Sequence, residues 1–220
     1  MAMSPEFMSK KINLNIHDLY HLFARWFRSK RMRRFAVAFH PDRAEMILDV
    51  GGTEFNWALI DHSKNVVLLN LGIPPIKDLS FKYLVADGRA LPFPDQSVTI
   101  VYSNSVIEHL SNWENQQRFA TEVRRVGKRY YIQTPNRRFW IEPHLLTPFI
   151  HFLPQNWQKK LLRHFTLWGW LTHPSKQQVE RFLEEIRLLS RDELTTLFPD
   201  GVLWEERFFV WIKSFIVCKL

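Results

Sequence analysis

Hydrophobic and polar positions repeat with two different periods along this chain. From Asn15 onward Ile16, Leu19, Tyr20, Phe23 and Phe27 recur three and four residues apart, the spacing of one helix face, with Asn15 and Asp18 placed to cap its start. The opposite face is basic, carrying Arg25, Arg28, Lys30, Arg31, Arg33 and Arg34 with no acid between Tyr20 and Asp42. Pro41 is expected to end this helix. Beyond it, apolar runs over 46–50, 66–71, 83–86, 98–103 and 130–134 predict strands, and 55–60 and 106–125 predict helices among them. Such alternation predicts an α/β chain: a mostly parallel sheet covered by helices on both faces. Residues 136–187 break the rhythm and predict a long, helical, aromatic insertion punctuated by Pro143, Pro148, Pro154 and Pro174. A helix over 192–198 and strands over 202–208 and 213–219 complete a seven-stranded sheet. No internal repeat is present.

Composition narrows the class. At 220 residues, 46% hydrophobic and 24% charged, the chain suits a soluble globular protein of one domain, or one domain with a cap. A single cysteine, Cys218, excludes a disulfide framework and points to a reducing, cytoplasmic setting. No apolar stretch approaches the roughly 18 residues of a spanning helix, and the N-terminus lacks the apolar core of a secretory signal. Residues 1–7 (MAMSPEF) precede a further methionine, Met8, and read as an expression remnant; 8–42 read as the basic helix and 43–220 as the main domain. A formal charge of +8 calls for an acidic partner, either nucleic acid or a membrane surface, and charge alone does not choose between them. The basic helix face is open to two readings: a solvated face, or a footprint for phosphates or anionic lipid.

Candidate chemistry begins with Ile47-Leu48-Asp49-Val50-Gly51-Gly52-Thr53-Glu54, an apolar strand ending in an acid, then glycines, then a helix start. Glycine at such a turn lets the backbone approach a ligand closely. Asp49 is expected to direct negative charge into that crevice, which suits an ammonium or sulfonium better than phosphate. Asn70 ends the second strand, 19 positions after Gly51, where nucleotide-binding α/β folds hold ribose hydroxyls. In Val85-Ala86-Asp87-Gly88-Arg89-Ala90-Leu91-Pro92-Phe93, a strand-end carboxylate is placed to accept from an adenine amine.

Together these runs resemble the class I S-adenosylmethionine-dependent methyltransferases. That family's first-strand motif is D-x-G-x-G-x-G, met here by Asp49 and Gly51. Its adenine segment D-x-x-x-L-P-F is met by Asp87 with Leu91-Pro92-Phe93, and its E-H-L helix by Glu108-His109-Leu110. The resemblance continues through Thr134-Pro135-Asn136 and Leu189-Ser190-Arg191-Asp192 and spans roughly 43–220. It implies a Rossmann-like fold and S-adenosylmethionine as cofactor, held by Asp49, Gly51, Gly52, Thr53, Asn70, Leu71, Asp87, Gly88, Arg89 and Ser103. Thr53 and Phe55 stand where later glycines are usual, Asn70 where an acid is, and Thr99 where an aspartate is.

Methyl transfer needs an acceptor aligned with the sulfonium and, for oxygen or nitrogen, a general base. His109 and His144 are the candidates; each also fits an ordinary structural role. Quinone-pathway O-methyltransferases resemble this stretch with a metal-holding E-x-x-E-H, but Ser105 replaces the first acid, so no metal is expected. The segment 139–170 interleaves eight aromatics with Lys159, Lys160 and Arg163. It reads as an acceptor cap, a membrane-surface helix pair, or plain core beneath a lid. A small-molecule or lipid-like acceptor follows from an enclosing apolar cap, with peripheral contact to anionic membrane as a companion expectation. Nucleic-acid methylation is disfavoured: no N/D-P-P-Y run follows the fourth strand, no nucleic-acid module is recognisable, and Cys218 lies in the last strand. A non-catalytic protein that kept the fold but lost the cofactor is the remaining rival.

Overall fold

A computed structural model describes residues 16–42, 44–60, 65–74, 78–142 and 147–220. Helix α1 (Ile16–Phe39) leads into β1 (Ile47–Val50), α2 (Glu54–Ala58), β2 (Val66–Asn70), β3 (Lys82–Val85) and β4 (Val98–Asn104). A 3-10 turn (Ile107–His109), α3 (Trp113–Val126) and β5 (Gly127–Pro135) follow. The insertion holds β6 (Ile141–Glu142), β7 (Thr147–Pro148), α4 (Gln155–Phe165), α5 (Leu167–Thr172) and α6 (Lys176–Glu185). Helix α7 (Arg191–Leu197), β8 (Val202–Phe208) and β9 (Trp211–Lys219) close the chain.

The seven-stranded sheet runs in the order β3-β2-β1-β4-β5-β9-β8. Strands β1 to β5 are parallel, and β9 inserts antiparallel between β5 and β8. Strand order reverses between β1 and β4, and in open α/β sheets that reversal opens a crevice at the carboxyl ends. The expected sheet is therefore present, and its helices lie on both faces. Leu48 and Val50 point to a core shared with Phe119, Val123 and Leu194, from α3 and α7. Ile47, one residue out of step, points to the opposite core of Phe35, Trp57, Tyr102 and Tyr131.

Three local outcomes differ from the sequence reading. The helix expected over 106–125 is broken: Ser111 takes a positive φ of 63°, and the Asn112 side chain accepts from the Asn115 amide at 2.9 Å, so α3 starts afresh. The insertion is not wholly helical, because β6 and β7 pair Ile141 with Pro148 and Glu142 with Thr147. The basic face of α1 is only partly solvated. Arg25, Lys30 and Arg33 are exposed, but Arg31 is buried against Glu206 at 2.6 Å, and the Arg34 guanidinium lies 4.2 Å from the Trp204 ring centroid. Strand β8 supplies the acids and aromatics that α1 packs on, and nothing within α1 itself announces them. Of the expected inner face of α1, Phe27 is buried; the side chains before Arg25 lie outside those described.

Candidate active site

A cleft of about 560 Å³ opens over the carboxyl ends of β1, β2 and β3, roofed on one side by the turn after β4. Gly51 forms its β1 wall at a positive φ of 73°, a region that side chains rarely adopt, and a Cβ there would collide with Val106. Val50, Leu69, Leu110 and Phe119 give the cleft an apolar floor. Asn70 and Leu71 stand at the β2 rim, where the Asn70 amide donates to the Gly52 carbonyl at 2.9 Å and so holds the glycine loop to β2.

Asp87, Gly88 and Arg89 form the β3 wall. Arg89 binds both Asp87 oxygens, through Nη2 at 2.6 Å and Nε at 3.0 Å, and its backbone amide donates to Oδ1 at 2.8 Å. Those bonds hold the Asp87 carboxyl below its ordinary value despite partial burial. An ionised carboxylate keeps further lone pairs for an exocyclic amine. Gly88 leaves no room for a side chain, since a Cβ would press on Val50 and Phe119.

Asp49 is placed otherwise than the sequence suggests. It is fully buried on the α1 face of β1, accepting from the Trp57 indole at 2.8 Å and lying directly beneath Gly52. Strand alternation explains this: Val50 takes the cleft side, so Asp49 takes the other. Its Oδ1 has no hydrogen-bond partner, and burial pushes its pKa up to about 7. Gly52, Thr53 and Ser103 are likewise absent from the cleft wall. Gly52 is buried over Asp49, Thr53 is the exposed N-cap of α2, and Ser103 is buried with its hydroxyl donating to the Val50 carbonyl at 2.9 Å. Ser103 thus ties β4 to β1 from below.

His109 is exposed and lines the cleft at the end of the 3-10 turn; His144 lies outside the described residues. Ser111, Asn115 and Phe119 also line it, and the sequence reading does not include them. The one available signal is Asn112 at cap spacing before Asn115, which breaks the helix and turns these residues toward β1. Glu108 is buried and accepts from Thr134 at 3.0 Å. Among the described residues, no group of three His, Cys, Asp or Glu side chains comes together as a metal site.

The aromatic insertion returns to the core beside this mouth. The Ser111 amide donates to the Glu185 carbonyl at 3.2 Å, and the Arg187 amide to the Glu108 carbonyl at 2.7 Å. A second cleft, about 240 Å³, lies between insertion and core and includes Arg137, His151, Phe182 and Arg187.

These residues fit a nucleoside. An apolar floor suits a flat ring, Asp87 beside it suits a ring amine, and Asn70 at the rim suits hydroxyls. The pinched Gly51 and Gly88 let the backbone come close.

Comparison with known proteins agrees with this fold. Residues 48–130 match the family model described as a methyltransferase domain. None of the curated proteins matches the chain. Among solved structures, an S-adenosylmethionine-dependent methyltransferase from Archaeoglobus fulgidus superposes with a TM-score of 0.54 at 11% identity, over 90% of this chain and 98% of that one. One from Thermotoga maritima gives 0.53 at 13% identity, over 91% and 90%. A Pyrococcus horikoshii protein gives 0.51 at 16% identity, over 87% and 89%. The fold is that of the S-adenosylmethionine-dependent methyltransferases.

Proposed function

We propose, from the match of residues 48–130 to the methyltransferase-domain family model, that this chain moves the methyl group of S-adenosylmethionine to a small-molecule or lipid-like acceptor. The observation that carries the reading is the convergence of Gly51, Asn70, Asp87 and Gly88 on one cleft at the strand-order reversal.

When bound, S-adenosylmethionine supplies a methyl group already activated by its sulfonium. What remains for the chain is to bind, align and desolvate. Asp87 and the Gly88 backbone would hold the adenine, Asn70 the ribose, and Gly51 the close approach to the remainder. Asp49 would act from beneath the glycine loop, its buried carboxyl favouring a cation above it. Val106, Leu110 and Phe119 exclude water from the far side, which strengthens every polar contact in the cleft. His109, exposed at the mouth, is placed to take a proton from an oxygen or nitrogen acceptor. The acceptor would enter between His109 and the returning insertion.

The test supplies methyl-labelled S-adenosylmethionine with the full chain and a cell extract, then partitions label between organic-soluble, nucleic-acid and protein fractions. Label in small organic-soluble products is the expected result; label in RNA or in protein instead would overturn the acceptor class. His109→Asn should lower the transfer rate about a hundredfold at saturating acceptor, the order of one general base, with cofactor affinity unchanged. An unchanged rate removes His109 from the chemistry.

A further inference from the structure

The insertion presents a face that the methyl-transfer reading does not use. On α4, Gln158 and Leu162 turn inward, Leu162 against Val179 of α6 and Ile150, which leaves the other flanks to solvent. Trp157, Lys160 and His164 recur there at i, i+3 and i+7 along one stripe. Phe152, Trp157, Phe165 and Trp170 are each more than half exposed. Several large rings left out together on one element mark a surface that something covers.

Charge says what covers them. From Pro143 to Val179 the sequence contains no aspartate or glutamate. Lys159, Lys160, Arg163 and Lys176 instead gather along a groove of about 300 Å³ between α4 and α6, with Glu180 at its edge 3.5 Å from Lys159. We propose that this face of the insertion docks on an anionic lipid bilayer, rings at the headgroup boundary and cations toward phosphates. A second copy of the chain would bring like charges together here. Nucleic acid would meet the cations but leave exposed Leu153 and Leu171 against water. A bilayer satisfies both kinds of side chain at once. Because Glu185 at the end of α6 bonds to Ser111 at the cleft mouth, docking brings that mouth close to the membrane surface. Docking of this face does not depend on methyl transfer.

The experiment is co-sedimentation of the full chain with vesicles of phosphatidylcholine alone and of phosphatidylcholine mixed with phosphatidylglycerol. Binding is expected to the mixed vesicles and to weaken at high salt. The paired change Lys160→Glu with Arg163→Glu should weaken it by about tenfold or more. Trp157→Ser should weaken it as well, with far-ultraviolet circular dichroism unchanged in all variants. Absence of binding to anionic vesicles at low salt would overturn the proposal. So would binding indifferent to both variants, which would assign it to Arg25, Lys30 and Arg33 of α1. A dimer that Trp157→Ser dissociates would overturn it too.

Discussion

Replacing Asp49 by Asn should flatten the dependence of stability on pH between about pH 4 and pH 7. In the folded chain burial raises this carboxyl to about 7, whereas in the unfolded chain it titrates near 3.8. Between those values the folded state holds a proton that the unfolded state releases. Stability from this group is therefore greatest below about pH 4 and falls as pH rises, levelling off above about 7. A difference of roughly three pH units corresponds to about 4 kcal/mol. The introduced carboxamide keeps an oxygen for the Trp57 indole but never ionises, so the difference in unfolding stability between the two chains should change steadily from about pH 4 to pH 7 and level off above that. The amide adds a pH-independent cost of its own, about 1–3 kcal/mol, where its donors lack partners. The slope of the difference against pH, rather than its offset, is the signature. Parallel curves would show that Asp49 titrates as an ordinary carboxyl. The other shifted acids, among them Glu206, Asp87 and Glu122, are held low and so are common to both chains.

Arg31→Met should cost about 3–5 kcal/mol of folding stability, a large share of a domain's total. The Arg31 guanidinium is 5% exposed and grips Glu206 through Nη2 and Nε while its Nη1 donates to Gln133 at 3.1 Å and to Asn104. Glu206 also accepts from Ser214. Removing the arginine leaves Glu206 buried with Lys213, itself drawn down to about 8 by burial. Methionine restores most of the packing volume, so the loss measures the charge left behind rather than a cavity. In a double-mutant cycle Glu206→Gln should cost much less in the Arg31→Met background than in the native one. Additive losses would mean that the two side chains do not act as a pair. An Arg31→Lys chain should fall between, since an ammonium cannot supply the same planar fork.

How much of this is legible in the sequence follows from the range of each interaction. Strands β1, β2 and β4 announce themselves because consecutive apolar residues must be buried on both faces of a parallel sheet. Asn70, Asp87 and Gly88 can be placed at strand ends for the same reason, and the cleft collects them. Asp49 is harder. Its position at the end of an acid-bearing strand is visible, but which sheet face receives it depends on Trp57 and on α1 packing over it. Ser103 fails in the same way, since the hydroxyl's orientation toward Val50 depends on β4 pairing with β1. Arg31 reads as one more cation on a basic face, because the acid that buries it stands 175 positions away on β8. The break at Ser111 is within reach, as Asn112 is a cap residue followed by the periodicity of α3.

Whether the cleft bounded by Gly51, Asn70 and Asp87 accepts a sulfur-containing nucleoside is measured most directly by titration calorimetry of the full chain with S-adenosylhomocysteine. Saturable heat at one site per chain is expected, weakened about tenfold or more by Asp87→Ala through loss of a charged hydrogen bond. A folded chain that gives no heat up to millimolar ligand would contradict it.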